Sequence, residues 1–149
     1  MHESTLADLS PAELAAAFNT VYTDYLVPFT VGEAWARQHI AANDIDPARS
    51  ILWRDDAGAV AGLVALGVRG ERGWIGGLGI APGARGRGLS HPLIRAALDR
   101  ARRIGLRRVQ LEVITGNARA IRTYERAGFA RVRDLLILAR PADAPPAAP

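Results

Sequence analysis

The period of the hydrophobic and polar positions changes several times along the chain, and each period predicts one element. A capping box at Ser10–Glu13, with proline at the first helical position, predicts a helix over residues 11–25 that Pro28 interrupts. The same signature at Thr30–Glu33 predicts a second helix, which ends near Asn43. Two more helices are predicted further along, at residues 89–104 and 117–127.

Alternating or continuous apolar runs between these helices predict the strands. They are "SILW" (50–53) and "AVAGLVALGV" (59–68), joined by the turn "DDAG", then "WIGGLGI" (74–80), "RRVQLEVI" (107–114) and "FARVRDLLILAR" (129–140) as a final strand or strand pair. Ahead of the first helix, "STLADL" (4–9) is the candidate first strand. This order predicts an α/β fold with a mixed, mostly antiparallel central sheet and about four helices, in which the strand–helix–strand unit 74–114 adds a parallel or splayed pair.

Length and composition predict one folded domain over residues 1–140, because 149 residues with 49% hydrophobic side chains suffice for a substantial core. The tail "PADAPPAAP" (141–149) is predicted to be disordered. The chain has no cysteine, which excludes disulfides and thiol nucleophiles. The N-terminus does not have the pattern of a signal peptide, and no run approaches the ~18 apolar residues that cross a bilayer, so we expect a cytoplasmic protein.

The charges are divided unevenly along the chain. Residues 1–68 carry three arginines against nine acids, whereas residues 69–140 carry sixteen arginines against five acids, and there is no lysine. A basic second half suits a phosphate-bearing ligand and an acidic first half suits a cation, although solvated arginines on helix faces explain part of the pattern.

The segment "GIAPGARGRGLS" (79–90) joins a predicted strand to a predicted helix. Free N–H groups and the helix dipole favour an anion there, and glycines at 83, 86 and 88 leave the backbone bare. A nucleotide P-loop is excluded because the chain has no lysine, and the dinucleotide pattern G-x-G-x-x-G does not fit. A single "RGRG" between a strand and a helix also differs from the repeated segments of RNA-binding tails.

Two motifs together carry a family resemblance. "RGRGLS" (85–90) resembles the coenzyme A pyrophosphate loop of the GNAT superfamily of N-acetyltransferases, and "NARAIRTYERAGF" (117–129) resembles the later N-x-x-A-x-x-x-Y-x-x-x-G-F segment of the same superfamily. The resemblance covers about residues 50–138. Gly83 departs from it, because many members carry Gln or Arg at that place.

The resemblance implies that acetyl-coenzyme A is the cosubstrate and assigns residues to it. The amide of Leu78 would face the acetyl oxygen, and Leu78 to Ile80, through Gly79, would lie along the pantetheine arm. Asn117 would steady the cofactor where the strands splay. The amides that would hold the pyrophosphate belong to Arg85, Gly86, Arg87, Gly88, Leu89 and Ser90. No metal is expected, since three scattered histidines have no ligand spacing.

Acetyl transfer to an amine needs a base for the amine and an acid for the leaving thiolate. Tyr124 is the predicted acid, because a phenol is protonated at neutral pH and its place in the second motif matches; the alternative is a tyrosine packed in the core. Glu112 is the predicted base, by resemblance to relatives that acetylate protein N-termini. Alternation of Val109, Leu111 and Val113 places it on the opposite strand face, where it equally suits an arginine partner.

Asp24, Tyr25 and Trp35 flank the break at Pro28 and are the predicted amine-binding rim, although packing between helices explains the aromatics as well. We therefore predict an N-acetyltransferase that moves acetyl directly to a primary amine, either a small molecule or a peptide N-terminus. The alternatives are a catalytically silent acyl-coenzyme A sensor, a transferase for longer acyl chains and an arginine-driven nucleic-acid binder. We expect no nucleic-acid or membrane partner, and the resemblance implies a homodimer.

Overall fold

Five strands form one sheet in the computed structural model, which describes residues 1–137. The strands lie in chain order; β1 to β4 pair antiparallel, and β4 and β5 pair parallel. The predicted fold class and the predicted parallel pair are both confirmed. The strands are β1 (His2–Ser4), β2 (Ile51–Arg54), β3 (Val60–Arg69), β4 (Arg72–Ile80) and β5 (Arg108–Leu111).

Four α-helices cover the two faces of this sheet and bury two separate hydrophobic clusters. One cluster lies beneath the first two helices and includes Phe18, Val21 and Leu63. The other lies beneath the last two and includes Val64, Leu93 and Ile94. The helices are α1 (Pro11–Val21), α2 (Glu33–Ala42), α3 (Ser90–Arg103) and α4 (Ala118–Arg126).

Local capping chemistry explains the helix ends that the sequence predicts correctly. The N–H of Glu13 donates to the Ser10 hydroxyl (3.3 Å) and the N–H of Ser10 donates to the Glu13 carboxylate (2.8 Å), so the predicted capping box of α1 is confirmed. At the other end of the chain, α4 stops before Gly128, whose φ of 93° suits glycine.

Two predicted helix ends are wrong, and long-range contacts explain one of them. The second helix begins after Gly32 rather than at Thr30, because the Asn19 side chain bonds both the N–H and the C=O of Val31 (2.9 Å each) and holds that segment extended. The first helix ends at Val21 rather than near Tyr25, and Asp24 adopts a left-handed φ of 60° that a helix cannot continue.

Three predicted strands also need correction. The first strand is His2–Ser4, and residues 6–8 of the predicted "STLADL" form a 3₁₀ turn instead. Strand β5 covers Arg108–Leu111 rather than 107–114, because it diverges from β4 after the Ile75–Leu111 pair. Residues 129–137 form no strand, and their large apolar side chains lie mostly in solvent; Val132 is 78% exposed. Residues 138–140 and the predicted tail 141–149 lie outside the described residues.

Glycines in β4 bring α1 unusually close to the strand. The register between β3 and β4 shifts at Gly76, which forms a β-bulge. A Cβ at Gly77 would lie 2.6 Å from Phe18, and one at Gly79 would lie 2.8 Å from the Cβ of Val21. Because both neighbours belong to α1, these glycines set the distance between that helix and the sheet.

Replacing Gly79 with alanine should therefore destabilise the fold. The new methyl group overlaps Val21, so α1 must shift or its side chains must leave their preferred rotamers, at a cost of about 1–3 kcal/mol. Urea denaturation measures this as a lower free energy of unfolding. Gly83→Ala is the matched control, since a Cβ there meets nothing within 4 Å. Equal stability of the two variants would contradict the close packing described here.

Candidate active site

The separation of β4 from β5 opens the middle of the sheet. The two strands pair from Arg72–Arg108 to Ile75–Leu111, and β4 then continues to Ile80 with no strand on that side within the described residues. An edge of this kind leaves backbone N–H and C=O groups available to a ligand. The predicted pair, β4 and β5, is therefore parallel at one end and splayed at the other.

Alternation along β4 decides which backbone groups face the opening. The N–H of Ala81 donates to the carbonyl of Ala61 (2.9 Å), so Gly79 also bonds toward β3, and Leu78 and Ile80 point the other way. The N–H of Leu78 donates to the Tyr22 hydroxyl (3.2 Å). Of the three predicted residues, Leu78 and Ile80 therefore direct backbone groups toward the opening, whereas the backbone groups of Gly79 bond toward β3.

The loop after β4 presents a row of backbone N–H groups at the start of α3. Within residues 1–137 no acceptor is bonded to the amides of the five residues Gly86, Arg87, Gly88, Leu89 and Ser90. Gly86 (φ 76°) and Gly88 (φ 74°) both adopt left-handed backbone, which turns successive N–H groups toward one side. A Cβ at either glycine meets nothing within 4 Å, so no protein atom packs against the loop at these positions. This arrangement fits a diphosphate.

Arg85 is the exception among the predicted loop residues. Its N–H donates to the Pro82 carbonyl (3.2 Å), so it cannot join the row of free amides. Its guanidinium donates to the carbonyls of Ile80 (3.0 Å) and Thr23 (2.8 Å). Arg85 thus fastens the loop to the end of α1 and also occupies the carbonyl that Ile80 would have offered to a pantetheine arm.

Tyr124 lies on α4, half-buried against the α3 side of the sheet, with its ring edge-on to Phe129 (6.0 Å between centroids). Burial raises the pKa of Tyr124 well above the ordinary value for a phenol, and the nearby phenols of Tyr22 and Tyr25 raise it further. The three tyrosines of the chain therefore lie near one another although two of them come from the α1 end. A phenol with a raised pKa stays protonated, and can therefore donate a proton, at neutral and moderately alkaline pH.

Glu112 and Asn117 flank the opening from the β5 side. Glu112 is exposed just beyond β5, and the alternation of half-buried Val109 and Leu111 with exposed neighbours places it on the opposite face from Tyr124. The side-chain oxygen of Asn117 (Oδ1) accepts the N–H of Ala120 (3.1 Å) and caps α4. Asn117 thus orients the helix that carries Tyr124, and its amide NH₂ is what remains for a cofactor.

The segment after α1 forms a cavity of about 580 Å³ beside the opening. Asp24 and Tyr25 line it, as do Tyr22 and Phe29. Trp35 does not line it: its ring packs edge-on against Phe18 (5.2 Å) and Phe29 (5.4 Å) and stacks on His39 (4.4 Å). Packing between helices therefore accounts for Trp35, as the alternative interpretation held.

Tyr22 is the site residue that the sequence did not reveal. It follows α1 directly, and its ring lies parallel to Phe18 (6.1 Å) and close to Phe29 (4.8 Å). No motif marks it, because its contact with Leu78 joins residues 56 positions apart. The spacing of four residues from Phe18 to Tyr22 was the available signal, and it indicates only a shared helix face.

Tyr22 should make stability depend on alkaline pH. Burial raises its pKa from 10.0 to about 12, so the folded state holds this proton more tightly than the unfolded chain. The contribution is complete below pH 10.0 and is lost as the pH rises toward 12. Urea titrations across this window should show a falling free energy of unfolding, and Tyr22→Phe should flatten the fall. An identical pH dependence in the variant would contradict the assignment.

Two kinds of feature are absent from the described residues 1–137. No group of three or more His, Asp or Glu side chains in them is placed to hold a metal ion. None of their helices combines the length and apolar character that a membrane crossing requires.

Sequence comparison relates the chain to known transferases. A family model described as "Acetyltransferase (GNAT) family" matches residues 14–129. The mycothiol acetyltransferase of Propionibacterium freudenreichii subsp. shermanii is 35% identical over 101 residues, which are 65% of this chain and 32% of that protein. The streptothricin acetyltransferase of Streptomyces lavendulae is 49% identical over 51 residues, 34% of this chain and 27% of that protein. The chain thus spans about a third of the length of the curated relatives it matches.

Solved structures share the fold at low identity. The ribosomal-protein-S18-alanine N-acetyltransferase from Escherichia coli superposes with a TM-score of 0.69 at 22% identity, covering 89% of this chain and 79% of that one. Ard1 from Thermoplasma volcanium superposes with a TM-score of 0.72 at 21% identity, covering 89% and 84%. The family model includes the splayed strand, the glycine loop and the Tyr124 helix, and the chain belongs to the GNAT family of acetyltransferases.

Proposed function

We propose that this protein is an N-acetyltransferase that moves an acetyl group from acetyl-coenzyme A directly to a primary amine. The observation that carries the proposal is the row of five free amides from Gly86 to Ser90, in a loop that contains two left-handed glycines with no protein atom packed against them. Backbone donors at a helix N-terminus suit a diphosphate, and the arginine-rich second half of the chain adds a favourable field.

The open edge of β4 supports a place for the acyl end of the same ligand. Acetyl-coenzyme A supplies the acetyl group as an activated thioester. In our proposal the N–H of Leu78 donates to the thioester carbonyl oxygen, where negative charge grows as the amine attacks. Burial raises the pKa of Tyr124, which keeps its phenol protonated. In our proposal this phenol gives its proton to the leaving thiolate. Glu112 receives a proton from the amine on the opposite face.

The acceptor enters, in this proposal, through the cavity behind α1. Aromatic rings and one carboxylate line it, and Asp24 is exposed there beside Tyr25. Such a lining suits an alkyl ammonium, which a carboxylate attracts and π-faces accommodate. The matching relatives are named for mycothiol and streptothricin and one solved neighbour for the alanine of ribosomal protein S18, so both small amines and peptide N-termini belong among the acceptors to test.

A thiol-release assay tests the proposal. Purified protein is mixed with acetyl-coenzyme A and a panel of small diamines, aminoglycosides, streptothricin and alanine-starting peptides, and free thiol is followed with time. We expect release that depends on one acceptor class, with mass spectrometry finding acetyl on its amine. Calorimetric binding of coenzyme A without turnover on any acceptor would instead favour a silent sensor, and absence of both would overturn the assignment.

A further inference from the structure

The hydroxyl of Tyr22 lies where the proposed function puts the acyl oxygen. The N–H of Leu78 faces the opening beside β4 and donates to the Tyr22 oxygen over 3.2 Å. The phenol therefore occupies, in the protein without substrate, the hydrogen bond that a thioester carbonyl would accept. No other residue in the range 1–137 bonds to this N–H.

The position of that hydroxyl is built into the packing. The Tyr22 ring lies between Phe18, Tyr25 and Phe29, with centroid distances of 6.1, 5.0 and 4.8 Å. A Cβ at Gly77 would lie 3.5 Å from the Tyr22 oxygen and 2.6 Å from the Phe18 ring. Gly77 thus lets Phe18 lie against β4, and the rings of Phe18, Tyr25 and Phe29 hold the Tyr22 ring beside it.

The hydroxyl of Tyr22 can also act as a hydrogen-bond donor. Its oxygen accepts from Leu78, while its own O–H has no acceptor among residues 1–137. Because burial raises the pKa of Tyr22 to about 12, the group stays a neutral donor across the physiological range. This O–H is therefore free to donate to a ligand oxygen at this point.

We propose that the Tyr22 hydroxyl is a second hydrogen-bond donor to the acyl oxygen, together with the Leu78 N–H. The inference rests on the proposed function, which places that oxygen at Leu78. On binding, the carbonyl oxygen takes over the Leu78 hydrogen bond, and the phenol turns its O–H toward the same oxygen. A donor held by rigid rings needs no reorganisation as negative charge grows on the oxygen, so it favours the transition state over the ground state.

Tyr22 and Tyr124 then have different tasks on opposite faces of the sheet. Tyr22 packs with the α1 cluster and Tyr124 with the α3 cluster, and the opening beside Leu78 lies between them. The first donates a hydrogen bond to the acyl oxygen and keeps its proton. The second transfers its proton to sulfur. Removing the Tyr22 hydroxyl should therefore change the kinetics in a different way from removing the Tyr124 hydroxyl.

The test uses Tyr22→Phe, which removes one oxygen and keeps the ring. We expect kcat to fall about tenfold while KM for acetyl-coenzyme A stays within about twofold. The matched control is Thr20→Ala in the last turn of α1, which loses a hydroxyl that bonds only to the Ala16 carbonyl (2.8 Å). It should keep the wild-type kcat. Thermal melts establish that both variants fold.

A second readout does not depend on turnover. The probe is a coenzyme A ketone in which a methylene replaces the thioester sulfur, labelled with ¹³C at the carbonyl. Two donors polarise the carbonyl more than one, so its ¹³C resonance should move downfield on binding to the wild type and by less in Tyr22→Phe. The Leu78 amide proton should also move when the probe displaces the phenol oxygen in the wild type.

These measurements separate the two proposals. Equal kcat and an equal carbonyl shift in Tyr22→Phe would overturn the role of Tyr22, and so would tighter probe binding with an unchanged shift, which would make the phenol a placeholder. A probe that does not bind the wild type would overturn it as well. Absence of thiol release from the wild type with every amine, alongside a Tyr22-dependent carbonyl shift, would count against the proposed activity alone.

Discussion

Replacing Gly86 and Gly88 together with alanine is expected to weaken coenzyme A binding by about 30- to 1000-fold. Both residues hold left-handed backbone, with φ of 76° and 74°, and an L-residue in that region costs about 1–2 kcal/mol. A free loop relieves this strain by relaxing, so the cost of about 2–4 kcal/mol falls on the bound state, which needs the amides turned to one side. Each single variant should lie between the wild type and the double variant.

Isothermal calorimetry with coenzyme A measures this loss. Gly83→Ala is the matched control in the same loop, because Gly83 has no left-handed φ and a Cβ there meets open space. We expect wild-type affinity from it. The free energy of unfolding of each variant distinguishes a damaged loop from a damaged fold. If the double variant binds coenzyme A as tightly as Gly83→Ala does, the row of amides is not part of the coenzyme A site.

The features that the sequence predicted are those whose causes lie within a few residues. The capping box at Ser10 fixes the start of α1, and the glycine pair at 86 and 88 fixes the turn into α3. Alternation along 109–113 correctly places Glu112 on the face opposite Val109 and Leu111. Such features need no knowledge of what packs against them, which is why a single sequence reveals them.

The features that the sequence missed depend on distant partners. Asn19 decides where α2 begins by binding Val31, and no capping rule contains that contact. Gly77 and Gly79 of β4 receive the side chains of α1, a contact that no local pattern in the strand indicates. Tyr22 was missed for the same reason: its role appears only when α1 lies across β4.

At the end of the described chain, the sequence predicts a strand that the structure does not form. The pattern of "FARVRDLLILAR" favours a strand, yet residues 129–137 form none, and Leu136 is 83% exposed. Strand propensity reflects a fit to a half-buried pleated surface, and no such surface within residues 1–137 receives this segment. Local strand preference alone therefore does not form a strand.

Removing the hydroxyl of Tyr124 should have the largest effect on catalysis. General-acid catalysis contributes about 10²–10⁴-fold, so Tyr124→Phe should lower the single-turnover rate of acetyl transfer by that factor. The ring that packs against Phe129 is retained, and KM for acetyl-coenzyme A should stay within about twofold. Thr123→Ala is the matched control, because its hydroxyl bonds within α4 to the Arg119 carbonyl (3.1 Å).

The pH dependence makes this prediction specific to a proton donor. Burial raises the pKa of Tyr124, so the wild type keeps its acid protonated through the alkaline range in which the amine becomes a nucleophile. Its rate should therefore not decline on the alkaline side below the ordinary phenol pKa of about 10. In the variant, protons must come from water, so the residual rate should show a different solvent isotope effect. A variant within twofold of the wild type would leave Tyr124 as a packing residue and assign the leaving thiolate's proton to solvent.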